Sequence, residues 1–115
     1  MTRCQQWAAR ALVISGSWAV LLGSAVCVSA DEAGKVLYKK DCQSCHGPDG
    51  AGNPQLAKVL QVDIPPVTGR ALQDKDSAAM LHIIAEGKGK MPGYAKKLAT
   101  QEQEQVLAYL KTLGH

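Results

Sequence analysis

The sequence predicts an all-α domain of three to four helices, and three observations carry that expectation. Three segments of the 115-residue chain place apolar residues at helical spacing, two of them beside recognisable caps. No segment alternates apolar and polar residues with the period of a strand. The stretches between the helical segments are rich in Gly, Pro, Asp and Asn, which break regular structure rather than extend it. The length suits one domain. A composition of 46% hydrophobic and 20% charged residues excludes a disordered or collagen-like chain.

Residues 1–30 read as an export signal. Arg3 and Arg10 form a positive start without acidic residues, Ala11 to Val26 is apolar, and Val28-Ser29-Ala30 offers small residues to a signal peptidase. The rival reading is a retained membrane anchor, because the stretch approaches the ~18–20 residues needed to span a bilayer. Val26 ahead of Cys27 is not the small residue a lipoprotein signal wants. Cleavage leaves residues 31–115 as one domain that does not span a membrane, in the periplasm. Trp7, Trp18, Cys4 and Cys27 depart with the signal, and the formal charge falls from +3 to +1. The overall basic pI is therefore no argument for nucleic acid. With Tyr38, Tyr94 and Tyr109 as its only aromatics, the remaining domain has little to bury and calls for a covalent or metal staple.

The first helix is expected over Ala33–Lys40, running into a cysteine motif. A short helix over Leu56–Val62 is the optional fourth. Asp63–Gly69 contains Pro65-Pro66 and reads as a loop. Asp76–Glu86 carries Met80, Leu81, Ile83 and Ile84, with Asp74, Asp76 or Ser77 as N-cap and Gly87 at the C-terminal end. Gly87–Gly93 is a second loop. The last helix opens with Thr100-x-x-Gln103 as a capping box and Glu102 and Glu104 near the positive end of its dipole. Val106, Tyr109, Leu110 and Leu113 then make one apolar face.

Cys42-Gln43-Ser44-Cys45-His46 is C-x-x-C-H, the signature of covalent haem attachment. Two cysteines three apart sit on one side of a helical turn, so both sulfurs reach the vinyl groups on one porphyrin edge. His46 is then carried beneath the ring toward iron. Three plainer readings compete. A redox dithiol needs a thioredoxin-like βαβ context, which is not visible. A zinc site wants four ligands, and the domain has no second cysteine pair. A plain disulfide suits an oxidising compartment.

For the opposite face of the iron the candidates are Met91, Met80, His82 and His115. Met91 lies in Gly87-Lys88-Gly89-Lys90-Met91-Pro92-Gly93, where Pro92 forces it out of helical geometry and the glycines let the loop lie close over a flat group. Its thioether is a soft ligand for haem iron. Met80 is adequately explained as core filler. His82 is the main alternative, and His115 is terminal.

Taken together, these pieces resemble class I (mitochondrial-like) cytochrome c, in particular its small bacterial monohaem members. The resemblance runs over nearly all of residues 31–113. It rests on Gly34-Lys35-Val36-Leu37-Tyr38, Cys42–Gly47, Ile64-Pro65-Pro66-Val67-Thr68, the run from Leu81 to Tyr94 with its G-x-G-x-Met-Pro loop, and Val106-Leu107-Ala108-Tyr109-Leu110. It implies a small cytochrome c fold wrapped around one covalent haem c. Cys42 and Cys45 would form the thioethers, and His46 and Met91 would bind iron. It implies that Gly34 is the close-approach point of the first and last helices, with Tyr38 and Tyr109 at the crossing. It makes Pro54 the candidate carbonyl for the His46 imidazole and Tyr94 the aromatic after the Met loop. Arg70 and Lys58 are candidate partners for the haem propionates. The chain departs from the family in having no Trp or Phe after residue 30.

The implied function is electron transfer without substrate turnover, as a periplasmic shuttle or as an electron-accepting subunit of a dehydrogenase or oxidase complex. A haem from which Met91 dissociates would instead suit weak peroxidase or gas-binding chemistry. Lys88, Lys90, Lys96 and Lys97 around Met91, with Lys39 and Lys40 beside the cysteines, would present a basic rim to an acidic redox partner. The plain alternative is that these lysines only solvate the surface.

Overall fold

The computed structural model describes residues 28–114, and among them it is helical, with no strand and one isolated β-bridge. Six helices follow one another: α1 (Ala30–Asp41), α2 (Gln43–His46), α3 (Pro54–Leu60), α4 (Gly69–Leu72), α5 (Ser77–Glu86) and α6 (Thr100–Thr112). The expected export segment lies outside the described residues apart from Val28, Ser29 and Ala30. No helix among the described residues is long and apolar enough to cross a membrane.

The α1 helix starts three residues before the expected Ala33, because Ser29 Oγ accepts from Glu32 N–H and caps it. Asp31 and Glu32 sit in its first turn and Lys39 and Lys40 in its last, matching the helix dipole. Its buried face is Gly34 and Tyr38, and this face lies on α6. The approach is so close that a methyl group at Gly34 would stand 2.0 Å from the Gln105 carbonyl oxygen. The Tyr38 and Tyr109 rings meet at the crossing with centroids 5.4 Å apart and planes tilted by 55°. Tyr38 is fully buried and donates from Oη to the Gly47 carbonyl at 2.6 Å.

Two short helices correct the sequence-based boundaries. The α3 helix spans Pro54–Leu60 rather than Leu56–Val62, because Asn53 caps it through Oδ1 to Leu56 N–H and Pro54 supplies a ready-made first turn. It ends at Gln61, whose φ of 53° is left-handed. The α4 helix, unforeseen, is one turn capped by Thr68 Oγ1 on Ala71 N–H. Four residues are too few for a period to show. It buries Leu72 and is pinned to the chain end by Gly69 N–H on the Leu113 carbonyl at 2.7 Å.

At α5 the N-cap is Asp76, whose Oδ2 accepts from Ala79 N–H at 2.8 Å. The expected Thr100–Gln103 capping box of α6 is not formed. The helix is capped one residue earlier, at Ala99, whose N–H donates to Glu102 Oε2 at 2.8 Å. Gln103 is instead buried and donates from Nε2 to the Leu98 carbonyl. A carboxylate three residues into a helix is a better acceptor for a free N–H than an amide. The buried face of α6 includes Leu107 as well as Val106 and Leu110, because the helix packs on α1, α4 and α5 at once. With Tyr38, Leu72, Ile84 and Leu98 these residues form the whole core cluster. It is a small core, as the scarcity of aromatics implied.

Candidate functional site

The cysteine motif occupies a one-turn helix set against the end of α1. Cys42 closes α1 with its N–H on the Tyr38 carbonyl at 2.9 Å, and His46 N–H returns to the Cys42 carbonyl at 3.0 Å. So short a helix leaves its carbonyls without internal partners. The Gly-rich segment that follows supplies them. Asn53 Nδ2 donates to Ser44 O, Asn53 N–H to Cys45 O and Gly52 N–H to His46 O, all between 2.8 and 3.0 Å. Gly47 at φ 78° and Gly52 at φ 95° make the reversal, and a side chain on Gly52 would meet the Ile64 carbonyl at 2.8 Å.

Burial governs the chemistry of this helix. It pushes the Cys42 thiol up to about 11, with the Asp41 charge adding to the effect. Cys42 is therefore a protonated thiol at neutral pH, the opposite of the low-pKa thiolate that a dithiol oxidoreductase needs. Neither Cys42 nor Cys45 is in a disulfide. Burial holds the His46 imidazole below its usual pKa, so the ring is neutral with a lone pair to give to a metal. Its Nδ1 is buried with no hydrogen-bond partner. The expected acceptor, Pro54, does not serve: it is the first residue of α3, and its carbonyl begins that helix. Among the described residues no three His, Cys, Asp or Glu side chains group as a metal set, so the zinc reading finds no ligands there.

Met91 is brought to the motif by a tight reversal. Lys88 and Met91 pair through two backbone hydrogen bonds of 2.9 and 3.0 Å, with Gly89 at φ 58° in the turn. The ends of this reversal nest into each other and into α5. A methyl group at Gly87 (φ 80°) would stand 2.4 Å from the Met91 carbonyl oxygen, and one at Gly93 would stand 2.6 Å from that of Ala85. Tyr94 and Ala95 N–H groups then bond to the Ile84 and Ala85 carbonyls.

The result is a cleft of about 530 Å³ that Cys42, Cys45, His46, Met91 and Tyr94 all line, with Pro65 and Pro66 along it. A recess of about 70 Å³ shares several of these residues and reaches the core at Tyr38 and Leu110. Met80 also lines the cleft, whereas His82 is exposed and does not. His115 lies outside the described residues. Tyr94 donates from Oη to the Asp41 carbonyl at 2.8 Å.

The lysines divide. Lys88 and Lys90 line the cleft, but Lys97 is ion-paired with Asp41, and Lys96 is exposed and does not line it. Lys58 and Arg70 do not line the cleft; Lys75 does, and it was missed because nothing in its neighbours marks the end of α4 as a cleft wall. Asp41 was missed too, since a single acid before a cysteine carries no pattern. The residues present fit a covalent haem: two cysteines on one turn, a neutral imidazole beside them and a thioether across an apolar-walled cleft of cofactor size.

Comparison with known proteins agrees. The family model described as "Cytochrome C oxidase, cbb3-type, subunit III" matches residues 29–110. The cbb3-type cytochrome c oxidase subunit CcoP of Azospirillum brasilense is 35% identical over 88 residues, which cover 75% of this chain and 29% of that protein. Subunit FixP of Azorhizobium caulinodans is 29% identical over 86 residues, 74% of this chain and 28% of that one. The chain thus spans less than a third of the length of these relatives. Among solved structures, the c-type cytochrome NirC superposes with a TM-score of 0.54 at 24% identity, covering 68% of this chain and 84% of that one, a likeness of fold.

Proposed function

We propose, for a chain that belongs to the cbb3-type cytochrome c oxidase subunit III family and is a small c-type cytochrome with covalent haem c, that it carries single electrons between redox partners outside the cytoplasm. In this reading it has no substrate turnover of its own. The observation that supports it most is the single cleft lined by Cys42, Cys45, His46 and Met91, although 45 positions separate His46 from Met91. Cys42 and Cys45 would hold the haem by thioethers, and His46 and Met91 would bind its iron. Bound there, haem c supplies one-electron chemistry at its iron.

The chain's own residues suit that task. With His46 and Met91 both available to the iron, the chain would hold it with its own side chains and not with a substrate. A thioether ligand such as Met91 would favour ferrous iron more than a second imidazole would. The apolar walls supplied by Val67, Leu72, Ile83 and Pro66 act in the same direction, because the ferric centre carries the extra charge. Lys75, Lys88 and Lys90 place positive charge at the opening, which suits an acidic partner surface. Residues 1–30 would direct the chain to the periplasm and be removed, leaving residues 31–115 as the cytochrome domain.

The family match favours a second form of the same reading, in which the cytochrome works as an electron-accepting subunit of an oxidase complex. Size-exclusion chromatography of the native protein separates the two: a shuttle elutes alone and a subunit with its partners. The reading as a whole is tested by optical spectra of the oxidised and reduced protein, matured with a haem-attachment system. A c-type spectrum with the weak long-wavelength band of a sulfur–iron bond, lost in Met91→Ala, is expected. A c-type spectrum without that band in the unsubstituted protein would overturn Met91 as ligand and revive ligand-binding chemistry.

A further inference from the structure

Asp41 is the last residue of α1 and the neighbour of Cys42. Its side chain is 3% exposed, yet it is a carboxylate. One oxygen is ion-paired with Lys97 Nζ; the other, Oδ2, is buried without a partner. Its backbone carbonyl accepts from Tyr94 Oη at 2.8 Å. Lys97 Nζ also stands 5.8 Å from the centre of the Tyr94 ring, so the two side chains that reach Asp41 touch each other. Both contacts cross more than fifty positions of sequence and land on the residue immediately before the cysteine motif.

Their position gives them a task. Tyr94 and Lys97 follow Met91 by three and six residues. Upstream, the reversal is anchored to α5 through Gly87 and Gly93. The Met91 backbone itself bonds only to Lys88, within the same reversal. Nothing else in this segment's hydrogen bonding ties the Met91 segment to the end of α1, which leads directly into the helix that carries His46. A buried carboxylate whose cation is half exposed is also an asymmetric tie. Removing the lysine strands a buried charge, whereas removing the charge strands only an exposed lysine.

We propose that Asp41, Lys97 and Tyr94 form a clamp that positions the Met91 segment against the end of α1, beside the haem-attachment helix, and sets how readily an outside ligand displaces the Met91 sulfur. The proposal rests on the reading of Met91 as an iron ligand. Asp41, Lys97 and Tyr94 are positioning residues: they act through Met91 and do not bind the iron.

The test is titration of the ferric haem-loaded protein with imidazole, followed through loss of the sulfur–iron band, alongside helix content and denaturant stability. Lys97→Met is expected to raise imidazole affinity by about tenfold, the worth of one charge-assisted hydrogen bond. Asp41→Asn and Tyr94→Phe raise it less. The double variant Asp41→Asn/Lys97→Met falls back toward the unsubstituted protein, because no buried charge is left alone. Lys97→Arg, which keeps the pair, stays close to it and folds whether or not Lys97→Met does. Tyr109→Leu, which loosens the α1–α6 crossing and lines neither the cleft nor the recess, is expected to leave imidazole affinity unchanged. Unchanged affinity in Lys97→Met and Asp41→Asn with the band intact would overturn the clamp. An equal rise in Tyr109→Leu would also overturn it, by tracing the effect to general loosening. Absence of the band from the unsubstituted protein would overturn the Met91 reading itself, a distinct result.

Discussion

Gly34→Ala sets two effects of opposite sign against each other, and the structure decides between them. In a helix free of neighbours, replacing Gly by Ala stabilises by about 0.8–1 kcal/mol. In α1 the added methyl group would lie 2.0 Å from the Gln105 carbonyl oxygen, 2.6 Å from its carbon and 2.9 Å from Tyr109 Cβ. Two of those atoms are α6 backbone and cannot swing aside. The oxygen would have to retreat by about 1 Å to reach even the tightest contact that side chains make. Retreat moves α6 as a body, which opens the Tyr38–Tyr109 ring contact, worth about 0.5–1.5 kcal/mol. Overpacking of a rigid contact adds about 1–3 kcal/mol. The penalties exceed the propensity gain, and a net loss of roughly 2 kcal/mol is expected, a fall in Tm of about 8–16 °C for a domain of this size. Thermal unfolding of the haem-loaded protein, followed by circular dichroism, measures it. A Tm unchanged or raised by a few degrees would mean that α1 and α6 do not touch at Gly34, and the crossing as described would be refuted.

Other outcomes follow from the same geometry. Tyr38→Phe removes the buried 2.6 Å hydrogen bond to Gly47 and is expected to cost about 1–2 kcal/mol in denaturant unfolding at pH 7. Burial raises the Tyr38 phenol from 10.0 to about 12, so above pH 10 the unfolded chain ionises first. The stability due to this group is full below pH 10 and is lost as pH rises toward 12; Tyr38→Phe should show a flatter alkaline limb than the unsubstituted protein. Gly87→Ala places a methyl group 2.4 Å from the Met91 carbonyl oxygen at φ 80°, and should weaken the sulfur–iron band while leaving helix content intact. Lys88→Glu/Lys90→Glu should slow reduction by an anionic redox reagent several-fold at low ionic strength, with the rates converging at high salt; equal rates at low salt would show that these lysines do not steer.

Some of the fold was open to sequence reasoning because its causes are local. The α5 cap at Asp76 and the end at Gly87 depend on a few adjacent side chains. Gly34, Tyr38 and Tyr109 at the helix crossing were reached through the family resemblance, and the structure places them there. Elsewhere two local signals competed. At α6, Thr100-x-x-Gln103 and Ala99-x-x-Glu102 overlap by one position, and the buried place of Gln103 against Leu98 decides which forms. At α3 the adjacent Asn53-Pro54 pair, a cap followed by a ready first turn, starts the helix two residues before Leu56.

The sequence by itself determined the chemistry available to this protein. Cys42, Cys45 and His46 take their mutual geometry from one helical turn, and Pro92 alone keeps Met91 out of a helix, so residue order suffices for both. Only the tertiary structure decided which groups meet across the cleft. It paired Lys97 with Asp41, left Lys88 and Lys90 lining the cleft, and brought Lys75 to it in place of Lys58 and Arg70. Those outcomes depend on contacts between residues tens of positions apart, as Asp41 and Lys97 are, not on the order of neighbouring side chains.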